Sequence, residues 1–384
     1  MLRRRLGRTD LDVSVVGFGG GPLNEIPPAE AVPVLKAAIA RGINLFDTAP
    51  KPWYGYSEES IGRAIHGRRD GLVIMSRTHG TTAEEALAEV RMSLDALAID
   101  QVDVYQISGV STPERYNAVM GPGGALQGLK EAQRLGQIRH IGVSSHGTPE
   151  TMAALVRSGE FATLMVAYNL VDYHVETYAQ PLEDMARIRN EILPLAQQYD
   201  VGVVAMKPLA GGLLVAHRSP LFRGLSSQTL AISPQQAISY LLMNPGFASA
   251  LVGMCSMEEL EENVVAGEAP LSLSVEEAAG LLEEATKLGT DFCRRCAHCE
   301  PCPEGIQIAK FFRVVYMARV PSQSVRKAAL ALLETMPVMP EFCTACGVCE
   351  ERCPYELAIA EKLEAGLAIV NELRARLDSP VLTI

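Results

Sequence analysis

Eight of the nine cysteines in this 384-residue chain fall in two short runs near its C-terminus. The first is Cys293-x2-Cys296-x2-Cys299-x2-Cys302-Pro303; the second is Cys343-x2-Cys346-x2-Cys349-x3-Cys353-Pro354. Thiolates at two-residue intervals wrap three iron corners of a cube. A later cysteine followed by proline lies too far along to finish the same cube easily, and in two-cluster bacterial ferredoxins it ligates the other one. The second run matches that ferredoxin spacing, and the first is one residue tighter before its last cysteine. The pattern predicts two [4Fe–4S] clusters, one on Cys293, Cys296, Cys299 and Cys353, the other on Cys343, Cys346, Cys349 and Cys302. Zinc ribbons use separated C-x2-C pairs instead. A disulfide knot needs an oxidising compartment and usually a short secreted chain. Free thiolates imply a reducing, cytoplasmic setting. Purpose stays open at this level: two crossed clusters suit an electron relay, and clusters also staple modules that have little core.

The rest of the chain must supply whatever those electrons act on. Its length exceeds one ordinary domain and allows a large core plus a smaller module. Apolar residues make up 48% and charged residues 21%, the balance of a soluble globular protein. The net charge of -11 argues against nucleic acid as a partner, because such proteins carry a basic face. It leaves a small-molecule substrate and a redox protein as the expected partners. No stretch approaches the ~18 to 20 apolar residues of a membrane span. The basic start, MLRRRLGRTDLDVSVV, has only a short apolar run preceded by Asp10 and Asp12, which reads as a β-hairpin rather than a secretory leader.

Eight apolar runs alternate with amphipathic stretches up to about residue 265. They begin at Val13, Ile43, Leu72, Val102, Ile138, Thr163, Val201 and Ala248. Runs of this kind fit parallel strands buried on both faces. Between them lie helical patterns such as TAEEALAEVRMSLDAL and SPQQAISYLLMN, and some stop at glycine, as at Gly42 and Gly136. The count suits a (β/α)8 TIM barrel; a doubly wound sheet is the alternative. The first run continues Gly17-Phe-Gly-Gly-Gly-Pro22, with no G-x-G-x-x-G, which favours the barrel. Chemistry in a barrel sits at the C-terminal strand ends. Those ends carry Asp47, Arg77, His79, Ser108, Ser144 to His146, Asn169, Lys207 and Gly253. Each alone is more often a turn former, but together they point to one mouth.

The same strand ends resemble those of the aldo-keto reductases. The likeness runs from about Leu6 to Asn263, through Phe46-Asp-Thr-Ala, Tyr54-Gly-x-Ser57-Glu58-x-x-Ile61-Gly62, SLDALAIDQVDVYQ, IRHIGVSS, Tyr168–Asn169 and VGMCSMEELEEN. With the two cysteine runs, and with GPGGALQGLKEAQRLGQIRHIG and MKPLAGG, the chain resembles the iron–sulfur-containing subgroup. The resemblance implies hydride chemistry by an Asp, Tyr, Lys, His tetrad, in which the tyrosine protonates a carbonyl oxygen. Asp47 and Tyr54 match that tetrad. Arg77 stands in the lysine position and Ser108 in the histidine position. Arginine is a permanent cation able to fork onto Asp47, and serine is smaller and not basic near neutral pH. His79 and His146 are nearby stand-ins for the imidazole.

The resemblance also assigns nicotinamide contacts to Ser144, Lys207, Gly253, Ser256 and Asn263. The family's asparagine and glutamine that grip the carboxamide are replaced here by Ser145 and Met165. Where NADPH-preferring members place an arginine, this chain has Glu259, which would repel a 2′-phosphate. Ser256-x-x-Glu259 also fits a capping box. NADP(H) is therefore disfavoured and NAD(H) admitted. A reductase fed by the clusters alone, and a non-catalytic electron-transfer subunit, remain as alternatives. The expected organisation is a barrel over 1–267, a helical linker over 268–290 and a small, mostly helical ferredoxin-like domain over 291–384. Its last helix is expected against the barrel or a partner.

Overall fold

The computed structural model describes residues 1–170, 183–215, 232–286, 293, 299–319, 323–353 and 356–378. Ten strands are present among them. β1 (Arg3–Arg5) and β2 (Asp12–Ser14) form an antiparallel hairpin. β3 (Val16–Gly19), β4 (Leu45–Asp47), β5 (Val73–Thr78), β6 (Val102–Ile107), β7 (Ile138–Ser145), β8 (Thr163–Ala167), β9 (Gly202–Met206) and β10 (Phe247–Gly253) follow. These eight close into one parallel barrel, sealed where β10 pairs with β3 at Ala250 and Val16. The barrel is the expected one, with one refinement. The run starting at Val13 contains two elements, since Asp12–Ser14 belongs to the hairpin and the barrel begins only at Val16.

Side chains alternate across each strand. Inward residues such as Leu45, Val73, Met75, Val104 and Leu251 fill the barrel, together with Leu6 and Val13 from the hairpin. Outward residues such as Ile74, Tyr105 and Val143 pack against the helices. Burying each such side chain stabilises the fold by roughly 1.5–3 kcal/mol. The interior is therefore largely a packed apolar core. The hairpin also holds the bottom of the barrel, where Leu2 N–H donates to the Gly267 carbonyl at 2.8 Å and Arg8 N–H to that of Asp200 at 2.7 Å. Helix starts carry their own caps: Thr82 and Glu85 form a capping box at Ala83–Leu97.

Cα proximity divides the described residues into two units, with 1–170, 183–210 and 233–279 in the first and 211–215, 232 and those from Gly280 onward in the second; the last boundary falls inside the helix Val275–Thr286. The second unit is helical. The helices Ile308–Arg319 and Gln323–Glu334 pack together, and Ile359–Asp378 lies along the first of them. The crossing is close at Gly366, where a Cβ would stand 2.7 Å from Val315 Cγ2 and 2.8 Å from Phe311 Cε1. The last helix thus has a partner within its own unit. Among the described residues no helix is long and apolar enough to cross a membrane.

Candidate functional site

Asp47 ends β4, and Arg77 follows Met75 by two residues on β5, so alternation turns both inward above the packed core. They are 4% and 5% exposed. Nη2 of Arg77 donates to both carboxylate oxygens of Asp47, while its Nε donates to the Thr48 carbonyl at 3.2 Å. The pairing is the expected one, but the fork is not: one nitrogen bridges both oxygens because Nε is turned to the backbone. The Arg77 guanidinium carbon stands 5.3 Å from the centre of the Tyr54 ring, within cation–π range. Tyr54 ends the short helix Lys51–Tyr54, and its ring packs over Gly21, where a Cβ would lie 3.5 Å from a ring carbon.

Sequence reasoning passed over Gln106. It is fully buried, pairs in register with Arg77, and donates from Nε2 to Asp47 Oδ1 at 3.2 Å. Its Oε1 is buried with no hydrogen-bond partner. The signal was there, because Gln106 has the same inward parity as Val104 and Ser108. Burial pushes the Asp47 carboxyl above the usual carboxylate range, opposed by the charge and hydrogen bonds of Arg77 and by Gln106.

Ser108 lies one residue past β6 and is 7% exposed; its N–H donates to the Thr78 carbonyl at 2.8 Å. Arg115 ties this loop to the one after β5, donating to the carbonyls of both Ser108 and His79 at 2.9 Å. His79 stacks on Trp53 with ring centres 4.0 Å apart. His146 is buried, and its backbone N–H donates to Ser111 Oγ at 2.9 Å. Ser144 Oγ accepts from Gly109 N–H at 3.1 Å. Ser145 Oγ donates to the Val110 carbonyl at 2.8 Å and so ties the end of β7 to the loop after β6. Met165 is buried in the barrel interior, its sulfur 4.0 Å from Arg77 Nη2.

The remaining candidates sit past β9 and β10. Lys207 has φ 58°, a left-handed residue that turns the chain out of β9. Gly253 is required by the close pass of Pro22, whose Cγ would lie 2.5 Å from a Cβ there. Ser256 caps the helix Met257–Glu268, accepting from Glu259 N–H at 3.2 Å. The box is not reciprocal: Glu259 Oε2 accepts from Cys255 N–H at 2.7 Å, one residue earlier than expected. Two N–H groups suited to a phosphate are thus satisfied by the chain itself, one of them by a carboxylate. Asn263, on this helix, is buried, and its Oδ1 has no hydrogen-bond partner.

Outside the barrel wall, Glu58 is buried with Ser76, whose Oγ donates to it at 2.7 Å. Ser76 meets Ser93 at 3.2 Å, and Ser93 meets the Tyr105 hydroxyl at 2.9 Å. Burial pushes the Glu58 carboxyl up, against hydrogen bonds from Ser93 and Ser76.

In the helical unit, Cys302, Cys343, Cys346 and Cys349 line one concavity floored by Ile308, Ala360 and Leu363. These are the four thiols of one expected cluster set. The loop between them curls through left-handed residues, Ala345 at φ 52° and Gly347 at φ 80°, the kind of curl that gathers backbone N–H groups for an anion. Burial raises the Cys349 thiol above its ordinary value, and Glu350 and the nearby Cys302 and Cys343 sulfurs raise it further. Four sulfur donors around one concavity suit the cationic core of a cluster, which would offset the charge of their thiolates. Among the described residues no three His, Cys, Asp or Glu side chains are gathered as a single-ion site. Of the other set, Cys299 is buried, Cys293 and Cys353 are half-buried in the same apolar cluster, and Cys296 lies outside the described residues. No described cysteine is in a disulfide. The ninth, Cys255, has its thiol pushed up to about 12 by burial and by Glu259, so it is a poor ligand.

The sequence profile of the aldo/keto reductase family matches residues 15–279. The chain belongs to this family. A second profile, described as a 4Fe-4S dicluster domain, matches residues 292–358. This aldo/keto reductase is 30% identical to L-galactose dehydrogenase of Arabidopsis thaliana over 292 residues, 68% of the chain and 87% of the relative. It is 25% identical to the NADH-specific methylglyoxal reductase of Escherichia coli (strain K12) over 303 residues, 68% and 92% of the two chains. The solved structure of an aldo/keto reductase from Klebsiella pneumoniae in complex with NADP and acetate is similar with a TM-score of 0.56 and 26% identity, over 73% of this chain and 93% of that one. The protein is an oxidoreductase of the aldo/keto reductase type that carries an iron–sulfur domain.

Proposed function

We propose that the protein reduces, or in reverse oxidises, a carbonyl group of a small organic substrate at the mouth of the barrel. The observation that carries this reading is the buried Asp47–Arg77 pair set against the Tyr54 ring. The Tyr54 hydroxyl protonates the carbonyl oxygen. Arg77, always charged, stabilises the negative charge left on the phenolic oxygen. Asp47 holds the guanidinium in place, and Gln106 in turn holds Asp47. Ser108 contacts the substrate where the family's histidine would stand and leaves more room beside it.

Bound nicotinamide supplies a hydride and bound [4Fe–4S] clusters supply single electrons. Ser144, Lys207, Gly253, Ser256 and Asn263 would hold the nicotinamide. The Glu259 carboxylate at the helix start disfavours a 2′-phosphate, which supports NADH over NADPH; the Escherichia coli relative is NADH-specific by name. One cluster belongs on Cys302, Cys343, Cys346 and Cys349, the other on Cys293, Cys296, Cys299 and Cys353. A second reading, a reductase fed by its clusters without nicotinamide, is favoured by the same internal capping at Cys255 and Glu259. Calorimetry of the cluster-loaded protein with NADH separates the two readings, since only the first requires binding.

A positioned general acid contributes roughly 10²–10⁴ in rate. With methylglyoxal as a trial carbonyl, Tyr54→Phe should lower kcat by about that factor and leave NADH binding unchanged. Equal turnover by Tyr54→Phe and the unaltered protein would sink the assignment.

A further inference from the structure

We propose that the turn Pro340–Phe342 and the loop after it form the docking surface for a one-electron carrier protein with a basic face. Electrons would cross there to or from the cluster on Cys302, Cys343, Cys346 and Cys349. The proposal rests on the two-cluster reading above.

Phe342 is 63% exposed, more than any other aromatic side chain among the described residues, the next being Trp53 at 47%. It directly precedes Cys343. Its exposure belongs to a fixed turn: Pro340 is buried, Phe342 N–H donates to the Met339 carbonyl at 3.1 Å, and Cys343 N–H donates to that of Pro340 at 3.0 Å. The chain therefore holds a large apolar ring in water beside a cluster ligand. Cys346, in the next loop, is exposed, while Cys299 and Cys349 are buried. This cluster thus has a solvent-facing edge next to an apolar anchor.

Among the described residues the charge around that edge is mostly acidic. Glu341 adjoins the ring, and Glu304 accepts from Thr344 Oγ1 at 3.2 Å beside the same loop. Glu351 and Glu356 are also exposed on the cysteine-bearing segment. Among the described residues of the cysteine-bearing segment the counter-charge is Arg352, which donates to the Pro301 carbonyl at 3.0 Å. An aromatic centre with a charged rim is the make-up of a protein interface, and electron-transfer encounters are small and weak enough to need little more. A basic carrier would be steered onto such a rim. A second copy of this chain would bring the same acids face to face. One electron crosses, and no bond is made or broken: the carrier's ferric ion gains the electron that the cluster loses, or the reverse.

The test uses the cluster-loaded, dithionite-reduced protein mixed with ferric cytochrome c, a basic one-electron carrier, in a stopped-flow spectrometer. The second-order rate should fall as salt rises. Phe342→Ala should lower it about tenfold, the effect of losing one interface anchor, and Glu304→Lys/Glu341→Lys should lower it similarly with iron content unchanged. Calorimetry with redox-inert zinc-substituted cytochrome c should show the same order of binding. If Phe342→Ala loses its clusters, the charge pair decides. Absence of the clusters' visible absorption from the unaltered protein would sink the cluster reading itself. Clusters present, with rates equal to the unaltered protein in the charge pair, overturn the docking surface alone. So does faster reaction with an acidic flavodoxin than with cytochrome c, or a dimer that Phe342→Ala dissociates.

Discussion

The barrel mouth and the cysteine loops both gather reactive side chains, but by opposite means. In the barrel, Asp47, Arg77 and Gln106 are placed by strand ends standing on a core that is already packed. In the helical unit, the thiols sit on loops around a small apolar cluster in which Cys299 and Cys349 are themselves buried members. The first site is positioned by the fold. The second has less core to stand on, and a metal group bound by its thiolates would add much of the missing folding energy. A stable scaffold and a ligand-dependent module can thus share one chain and fail separately.

Cluster removal gives the largest expected effect. Stripping iron with a chelator should cost the helices Ile308–Arg319, Gln323–Glu334 and Ile359–Asp378 most of their hydrogen-exchange protection, because metal binding is folding free energy in such modules. The barrel strands should keep theirs. Loss of protection in both regions together would break the comparison.

Next comes the buried pair. Arg77→Met leaves Asp47 buried without its cation, with only the Gln106 amide donating to it, which should destabilise the barrel by about 3–5 kcal/mol in urea unfolding. Arg77→Met/Asp47→Leu should recover much of that loss, as coupled neighbours do. The helical unit has its own packing test at Gly366. Gly366→Val drives a side chain into Phe311 and Val315 and should cost about 1–3 kcal/mol, read as faster exchange in the helical unit while the barrel is unaffected.

The smallest effect is a pH dependence. Burial raises the Glu58 carboxyl in the folded barrel above its ordinary value of 4.5. A raised acid holds its proton in the folded state after the unfolded chain has released it. The contribution to stability is therefore fully present below about 4.5 and is lost as pH rises through the folded value. Glu58→Gln should flatten that decline in a series of thermal melts; an unchanged slope would show that Glu58 is not its source.

Much of this was legible before any coordinates. Cysteine spacing is covalent chemistry written along the chain, so the set on Cys302, Cys343, Cys346 and Cys349 could be named from it. Strands buried on both faces leave apolar runs, and the eight barrel strands fall on such runs, β10 starting one residue early at Phe247. The run from Val13 hid a boundary, because hairpin and barrel strand are both apolar there and Val15 carries no turn signal. Gln106 was missed for a different reason. Its partner Asp47 lies two strands away, and which inward residues share a layer depends on register, which spacing does not encode. The single-nitrogen contact of Arg77 and the partner of the last helix are likewise matters of packing.

The central claim is that an aldo/keto reductase barrel here carries a unit built around two iron–sulfur clusters. Iron and acid-labile sulfide counted on anaerobically purified protein test it most directly. The account predicts about eight of each per chain, four irons and four sulfides for each cluster. Zinc in place of iron, or iron without sulfide, would contradict it.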